Sequence, residues 1–336
     1  MSFSPALLAV LCAARVHAQD DAMAVLRRSL AGAATPYQGQ ALVETRAGGV
    51  LRRSLVDVVY ESPQRYRRDI ADGRGFLVAS VVAEGGREWV YDRRRRSVWR
   101  GEPADPDYKL IDPDEELALL ARNYELRRVG REEAAGRLCD VVEVRARRGG
   151  RVVQRLWLDQ KRGMALRRRN FGPDGAELSS MRYLRVAFPA RVDAESFAFR
   201  VPPGARMLDS GLRPDYLALE EAASATGLVP RPPAWLPPGY IFESVNVLPH
   251  KGATILHYRY SDGMDVLSLF QYPRRVRLAS EQPAQPAALR RGPARLSWTP
   301  DGTLLEWEDG EGFALLGRMP LEELRRVADS VPGGGR

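Results

Sequence analysis

Histidine, cysteine and lysine are scarce in this 336-residue chain. Three histidines and two cysteines, His17, His250 and His257 with Cys12 and Cys139, supply too few nitrogen and sulfur ligands at usable spacings for a zinc site or a Cys-His pair. No phosphate-cradling glycine loop, dinucleotide fingerprint or nucleophile elbow is written in the sequence. His257, Ser261 and Asp262 are neighbours in sequence, but a strand followed by a turn gives them no reason to converge as a triad. The carboxylate pairs Glu115-Glu116 and Glu322-Glu323 lie at helix starts, where they stabilise the positive end of the helix. We therefore expect no catalytic residues, no metal and no cofactor.

Long apolar runs are lacking as well, so a helical membrane span is not expected. A short run, Ala6 to Ala14, is followed by Val16-His17-Ala18. Compact residues at −3 and −1 before Gln19 suit signal peptidase. Residues 1–18 are accordingly read as a cleaved signal peptide, although no Lys or Arg precedes the apolar run. Cleavage removes Cys12 and leaves Cys139 alone in the strand pattern "GRLCDVVEV", a buried thiol without a disulfide partner.

Arginine is abundant. Lys109, Lys161 and Lys251 are the only lysines among 51 basic residues, and the formal net charge is +8. Nucleic acid, an anionic membrane surface and an acidic partner all fit such a balance. The segment "RLWLDQKRGMALRRRNFGPDG", Arg155 to Gly175, poses the choice sharply. In "VVEVRARR", Val142, Val144 and Ala146 alternate with Glu143, Arg145 and Arg147, and a strand sends those sets to opposite faces. Arg167-Arg168-Arg169 cannot share one face when extended. The arginines are thus read as the wet side of a half-buried sheet. A surface for an acidic partner or for lipid head groups ranks second, and no nucleic acid partner is expected of an exported protein.

The pattern along the chain is mostly alternation. An opening helix is read in "DDAMAVLRRSLAGA", capped by Asp20 or Asp21, with Met23, Leu26 and Leu30 on one stripe. Alternating runs then divide at Gly48-Gly49, Gly85-Gly86, Gly149-Gly150 and Gly172-Pro173-Asp174-Gly175, four hairpin signals for an antiparallel, largely up-and-down sheet. Arg93 to Arg96 falls at a turn. One helix interrupts: "IDPDEELALLARN", with Asp112 as N-cap, Pro113 first, and Leu117, Leu120 and Ala121 as an apolar face for the sheet. A short helix in "PDYLALEEAASATG" leads to "LVPRPPAWLPPGYIF", whose five prolines stiffen the backbone and suggest a domain boundary. Beyond it come a hairpin around Ser261-Asp262-Gly263, two more turns in "RLSWTPDGTLLEWEDGEGFALLG", and a final helix starting at Pro320 with Leu321, Leu324, Val327 and Ala328 on one side.

The fold class is α+β: an N-terminal curved antiparallel half-barrel sheet with covering helices, and a smaller C-terminal α/β domain. The expected division is 1–18 signal peptide, 19–205 half-barrel domain, 206–232 linker with a short helix, and 233–332 C-terminal domain. A curved sheet with a helix over its concave side can enclose a hollow. Its walls are sought at Val142, Val144, Leu156, Leu158, Met164, Leu166 and Met181, since methionine and leucine adapt to acyl chains; a filled core is the alternative at each position. Trp89, Trp99 and Trp157 are read as packing residues.

The segments "AAGRLCDVVEV", "RLWLDQKRGMALRRRNFGPDG" and "FAFRVPPGA" together resemble the lipoprotein-carrier-like domain of bacterial periplasmic proteins. "PAWLPPGYIF", "LHYRYSDGMDVLSLFQ" and "LLGRMPLEELRRVADSV" resemble the C-terminal domain of the RseB/MucB family. That resemblance implies a half-barrel related to the carrier LolA joined to a smaller domain. It also implies a periplasmic regulator, not an enzyme, that binds the periplasmic region of a membrane-spanning anti-sigma factor. Such a regulator shields its partner from the first protease and releases it when envelope lipid or mislocalised lipoprotein accumulates. The implied partners are that anti-sigma region and a lipid or acyl chain, with a homo-oligomer allowed. A periplasmic lipid or lipoprotein carrier is the alternative, and the extra domain after Pro230 speaks against it.

Overall fold

The computed structural model describes residues 22–25, 35–47, 49–101, 113–209, 215–226, 228–250, 253–274, 276, 284–299 and 302–334. Alternating segments become strands, and glycines mark their reversals. Six strands come first: β1 (Tyr37–Ala47), β2 (Val50–Ser62), β3 (Arg65–Asp72), β4 (Leu77–Glu84), β5 (Arg87–Asp92) and β6 (Ser97–Gly101). Five more follow a helix: β7 (Tyr124–Ala134), β8 (Arg137–Ala146), β9 (Val152–Asp159), β10 (Ala165–Phe171) and β11 (Glu177–Ala187). With β12 (Arg206–Asp209) they make a twelve-stranded sheet in the order β12-β6-β5-β4-β3-β2-β1-β11-β10-β9-β8-β7. Two meanders are therefore joined by one pairing, β1 with β11, where Val43 lies opposite Met181. The sheet is curved and stays open, with β12 and β7 as its edges. All four expected hairpins are present. In one of them, Gly85 and Gly86 take φ of 60° and 73°, the pair of positive angles that a two-residue turn between twisted strands needs.

The chain's contacts divide it into two units. One holds the chain up to Arg46, Leu51–Asp105 and Tyr124–Leu208; the other holds Ala47–Val50, Pro106–Asn123 and Asp209 onward. At the N-terminal end, residues 22–25 are helical, with Ala22 and Val25 buried and Met23 half-buried. Asp20, Asp21, Leu26 and Leu30 lie outside the described residues.

The second unit carries an eight-stranded sheet of β13 (Asp215–Leu217), β14 (Ile241–His250), β15 (Ala253–Ser261), β16 (Val266–Tyr272), β17 (Gln285–Leu289), β18 (Gly292–Thr299), β19 (Gly302–Asp309) and β20 (Glu311–Gly317). Their order is β13-β14-β15-β16-β20-β19-β18-β17. Val245, Tyr258, Leu269, Leu315, Leu305 and Leu296 follow one another across six strands, and all are buried. The last helix, Leu321–Ser330, lays Leu324, Val327 and Ala328 on that row, because i, i+3 and i+4 share one face. Pro286 sits in the edge strand β17, where a missing N–H costs no ladder bond. The segment 215–217 differs from expectation. It pairs with β14, Tyr216 opposite Asn246, so the helix there is confined to Leu219–Thr226.

The interrupting helix, α1 (Pro113–Asn123), opens at Pro113 as expected; Asp112 lies outside the described residues. Its contacts belong to the second unit rather than to the sheet for which its apolar face was read. Asn123 donates its side-chain amide to Gly239 O at 2.9 Å and Asp262 O at 2.8 Å. A Cβ on Gly263 would stand 2.6 Å from the Leu120 nitrogen, so only glycine admits the helix so close.

The proline-rich segment is likewise fastened within the second unit. The Arg231 guanidinium is buried and donates to Pro332 O (2.8 Å), Asp309 O (2.9 Å) and Asp309 Oδ2 (3.1 Å). Its backbone N–H donates to Tyr258 Oη and Gln271 Oε1, both at 3.0 Å. Trp235 packs on the core with Arg326 4.0 Å above its ring.

Candidate binding face of the first sheet

Strand β8 is buried continuously from Cys139 to Val144. The alternation read there was half right. Val142 and Val144 are buried, but so is Glu143, at 3% exposure. The reason is that arginine covers its own sheet. Arg155 and Arg145 both bond the Glu143 carboxylate, and their aliphatic stems shield what lies beneath. Burial pushes the Glu143 carboxyl up, but the hydrogen bonds from Arg145 and Arg155 outweigh it and leave the group below its ordinary range. Asp159 follows the same pattern: burial raises it, and Arg137 with the Arg162 and Lys161 N–H groups more than compensates. Asp140 takes Arg128 at 2.7 Å.

The triple arginine alternates as a strand requires. Arg167 stacks over Trp157 at 4.3 Å, Arg169 bonds Glu177 at 2.5 Å, and Arg168 points into the opposite row. Trp157 is a packing residue, almost wholly buried, with its indole N–H donating to Glu132 at 2.7 Å.

Register assigns the expected wall residues. Val142 faces Leu156, Leu156 faces Arg168, Arg168 faces Met181, and Met181 faces Val43. Two residues along the same strands, Val144 begins a row through Gln154, Asn170 and Ser179, where side-chain amides hand on hydrogen bonds of 2.8 Å each. Leu158 lies beyond Leu156, opposite Ala165. Val142, Val144, Leu156 and Leu158 are thus one buried group on β8 and β9. Leu166 is fully buried in another cluster with Trp157, Cys139, Val141, Ala41 and Tyr183, and Met164 and Met181 pack against it. A small cavity of about 10 Å³, enough for one water, is lined by Glu44, Arg46, Leu51, Glu177, Leu178 and Ser179; none of the seven expected residues lines it.

Cys139 is buried, and burial pushes its thiol up to about 11. In the second unit, the three residues tested as a triad are each engaged elsewhere. The His257 ring lies 3.0 Å from Ser268 Oγ and stacks on Phe270. Ser261 Oγ accepts the Gly263 N–H at 3.1 Å, and Asp262 Oδ1 accepts those of Met264 and Asp265 at 3.0 and 2.8 Å. Burial lowers His257 to about 3, so it is neutral at ordinary pH. Among the described residues no three His, Cys, Asp or Glu gather as a metal site, and no described helix is long and apolar enough to cross a membrane.

The model of the MucB/RseB N-terminal domain matches residues 88–201, the stretch from β5 past β11. The sigma-E factor regulatory protein RseB of Salmonella typhimurium is 26% identical over 280 residues, 80% of each chain. Both matches make this chain similar to the MucB/RseB proteins. The RseB of Escherichia coli K12 is also 26% identical, over 64% of this chain and 61% of that protein. Among solved structures, the Pseudomonas aeruginosa MucA/MucB complex aligns over 94% of this chain and all of its own, with a TM-score of 0.59 at 20% identity. MucB in complex with MucA(peri) aligns over 95% and 100%, with 0.57 at 18%. These likenesses establish a shared fold running through both units. Sequence reasoning missed the exposed apolar residues of this chain, among them Phe76, Val129 and Leu138. An apolar residue directly after a glycine turn was the available signal at Phe76.

Proposed function

We propose that this protein is a periplasmic, non-enzymatic regulator that holds the periplasmic region of a membrane-spanning anti-sigma factor and limits its proteolysis, with lipid or lipoprotein as the releasing signal. The observation that carries this reading is the second unit. It has its own core beneath the Leu321–Ser330 helix, and the RseB and MucB relatives align across it. A carrier of acyl chains needs only a sheet and its cover. The match to MucB solved with MucA(peri) supports a protein partner of the same kind here.

The lipid ligand is assigned to strands β8–β11, with Val142, Val144, Leu156 and Leu158 of one group and Met164, Leu166 and Met181 of the other as its apolar contacts. Five of them are buried, and Met164 and Met181 are half-buried, so a chain would enter by uncovering the five, which suits a signal that loosens the protein. The test is capture of the full chain by the immobilised periplasmic segment of a membrane-spanning anti-sigma factor from the same organism. Retention that is lost on adding lipid supports the reading. Retention indifferent to lipid removes the releasing signal. Failure to bind, together with acyl chains recovered from the purified protein by mass spectrometry, favours the carrier.

A further inference from the structure

We propose that the β3–β4 and β5–β6 turns form a docking surface for an anionic lipid bilayer, independent of the partner-binding reading above. The register places the two turns side by side at one end of the first sheet: Ala71 faces Leu77, Ala79 faces Asp92, and Asp92 faces Ser97. Strand spacing sets neighbouring turns roughly 10 Å apart. Arg74 and Phe76 lie on one turn and Arg93, Arg94, Arg95 and Arg96 on the other, all exposed. Phe76 is 68% exposed.

Two acids stand against five arginines on these turns; they shape the backbone, and Asp92 also pairs with Arg95 at 3.9 Å. Asp72 Oδ1 accepts the N–H groups of Arg74 at 2.9 Å and Phe76 at 3.2 Å. Asp92 Oδ1 accepts that of Arg95 at 2.9 Å. Arg96 turns back at φ 48° and donates to Pro203 O at 3.1 Å, while its own carbonyl accepts the Arg206 N–H at 2.8 Å. That ties the exposed Met207 to the same end. The opposite end of these strands is built differently: Arg65 pairs with Glu61 at 2.8 Å and Glu84 at 3.3 Å. The charge excess therefore belongs to one end and is not a general property of an arginine-rich chain.

The shape selects the partner. Phe76 stands exposed on a turn at the end of the sheet, after Gly73 and Gly75, a wedge rather than a wall. A fluid interface closes around a wedge, whereas a folded protein would need a matching pocket. Guanidinium forks bind phosphate oxygens bidentately, and aromatic rings settle at the head-group level. Each cation near an anionic surface strengthens binding about fivefold.

The test is flotation of the full chain with vesicles of phosphatidylcholine containing about one third phosphatidylglycerol, at low and high salt. The expected result is binding that requires phosphatidylglycerol, weakens with salt, and falls on the order of a hundredfold in the triple variant Arg74→Gln, Arg93→Gln, Arg94→Gln. Phe76→Ser is expected to weaken binding with an unchanged salt slope, and Phe76→Trp to restore it. Thermal unfolding matched to the parent shows that each variant is folded. The proposal is overturned if the parent ignores the anionic vesicles or if the triple variant binds as well as the parent. It is also overturned if polyglutamate binds as tightly with Phe76→Ser without effect, which would assign the surface to an acidic polypeptide.

Discussion

Glu143 and Arg155 face each other across β8 and β9, and the Arg155 Nε donates to the Glu143 carboxylate at 3.0 Å. Arg145 reaches the same carboxylate from two residues along β8. One buried acid thus holds two half-exposed cations over the sheet. Glu143→Gln keeps the shape and removes the charge, leaving both guanidiniums short of a partner. It should cost about 1–3 kcal/mol, read as a lower denaturant midpoint with unchanged slope.

Acid should unfold the protein partly through Glu143 and Asp159. Both carboxyls lie below their ordinary range in the folded chain. The unfolded state therefore takes up their protons first as pH falls. Their contribution is complete above the unfolded values, about 4, and is lost as pH falls through the folded ones. A urea series across this window should show a shallower pH slope for Glu143→Gln than for the parent.

His257 gives a separate pH signature. Its folded value, about 3, lies below the ordinary 6.5, so protons bind the unfolded chain preferentially between the two. Stability should be flat in this term above about 6.5 and fall as pH drops toward 3. Its imidazole carbon proton should keep a neutral-form NMR shift down to about pH 4, and titration near 6.5 would contradict the buried stacking on Phe270.

Arg231 should tolerate no replacement by lysine. Its fork reaches two carbonyls and a carboxylate at once, which a single ammonium cannot reproduce. Arg231→Lys should lower stability by about 2 kcal/mol or more and raise hydrogen exchange in 229–236 before the rest of the second unit. Uniform exchange would show the segment holding without it.

Cys139 should resist alkylation in the folded chain. The thiolate is the reactive form, and burial holds this thiol near 11. With Cys12 replaced by serine, labelling by iodoacetamide at neutral pH should follow global unfolding in urea.

The sequence made the hairpins legible because their glycines are local signals. The row Val245 to Leu296 could be anticipated as alternation but not as a row, since register is decided by partners far along the chain. Glu143 was misjudged because alternation reports the backbone's facing, not whether neighbouring arginines fold back as a lid. The placement of α1 was invisible for a different reason. It depends on a missing Cβ at Gly263, more than a hundred residues away, and on Asn123 capping carbonyls of loops that the helix pattern does not mention. At the candidate face, residue types were recoverable, while their separation into two buried groups followed from the bulge in the β9–β10 pairing.

The pairing of β1 with β11 sets the order in which the larger sheet can be completed. Each meander closes over short loops and can form on its own, but the seam joins residues some 140 positions apart and must wait for the second half to arrive. Until then β1 is a bare margin with unsatisfied backbone groups, open to any passing extended chain. A protein delivered N-terminus first therefore spends its most vulnerable interval with that margin unguarded, and a chaperone acting on it would do most good there.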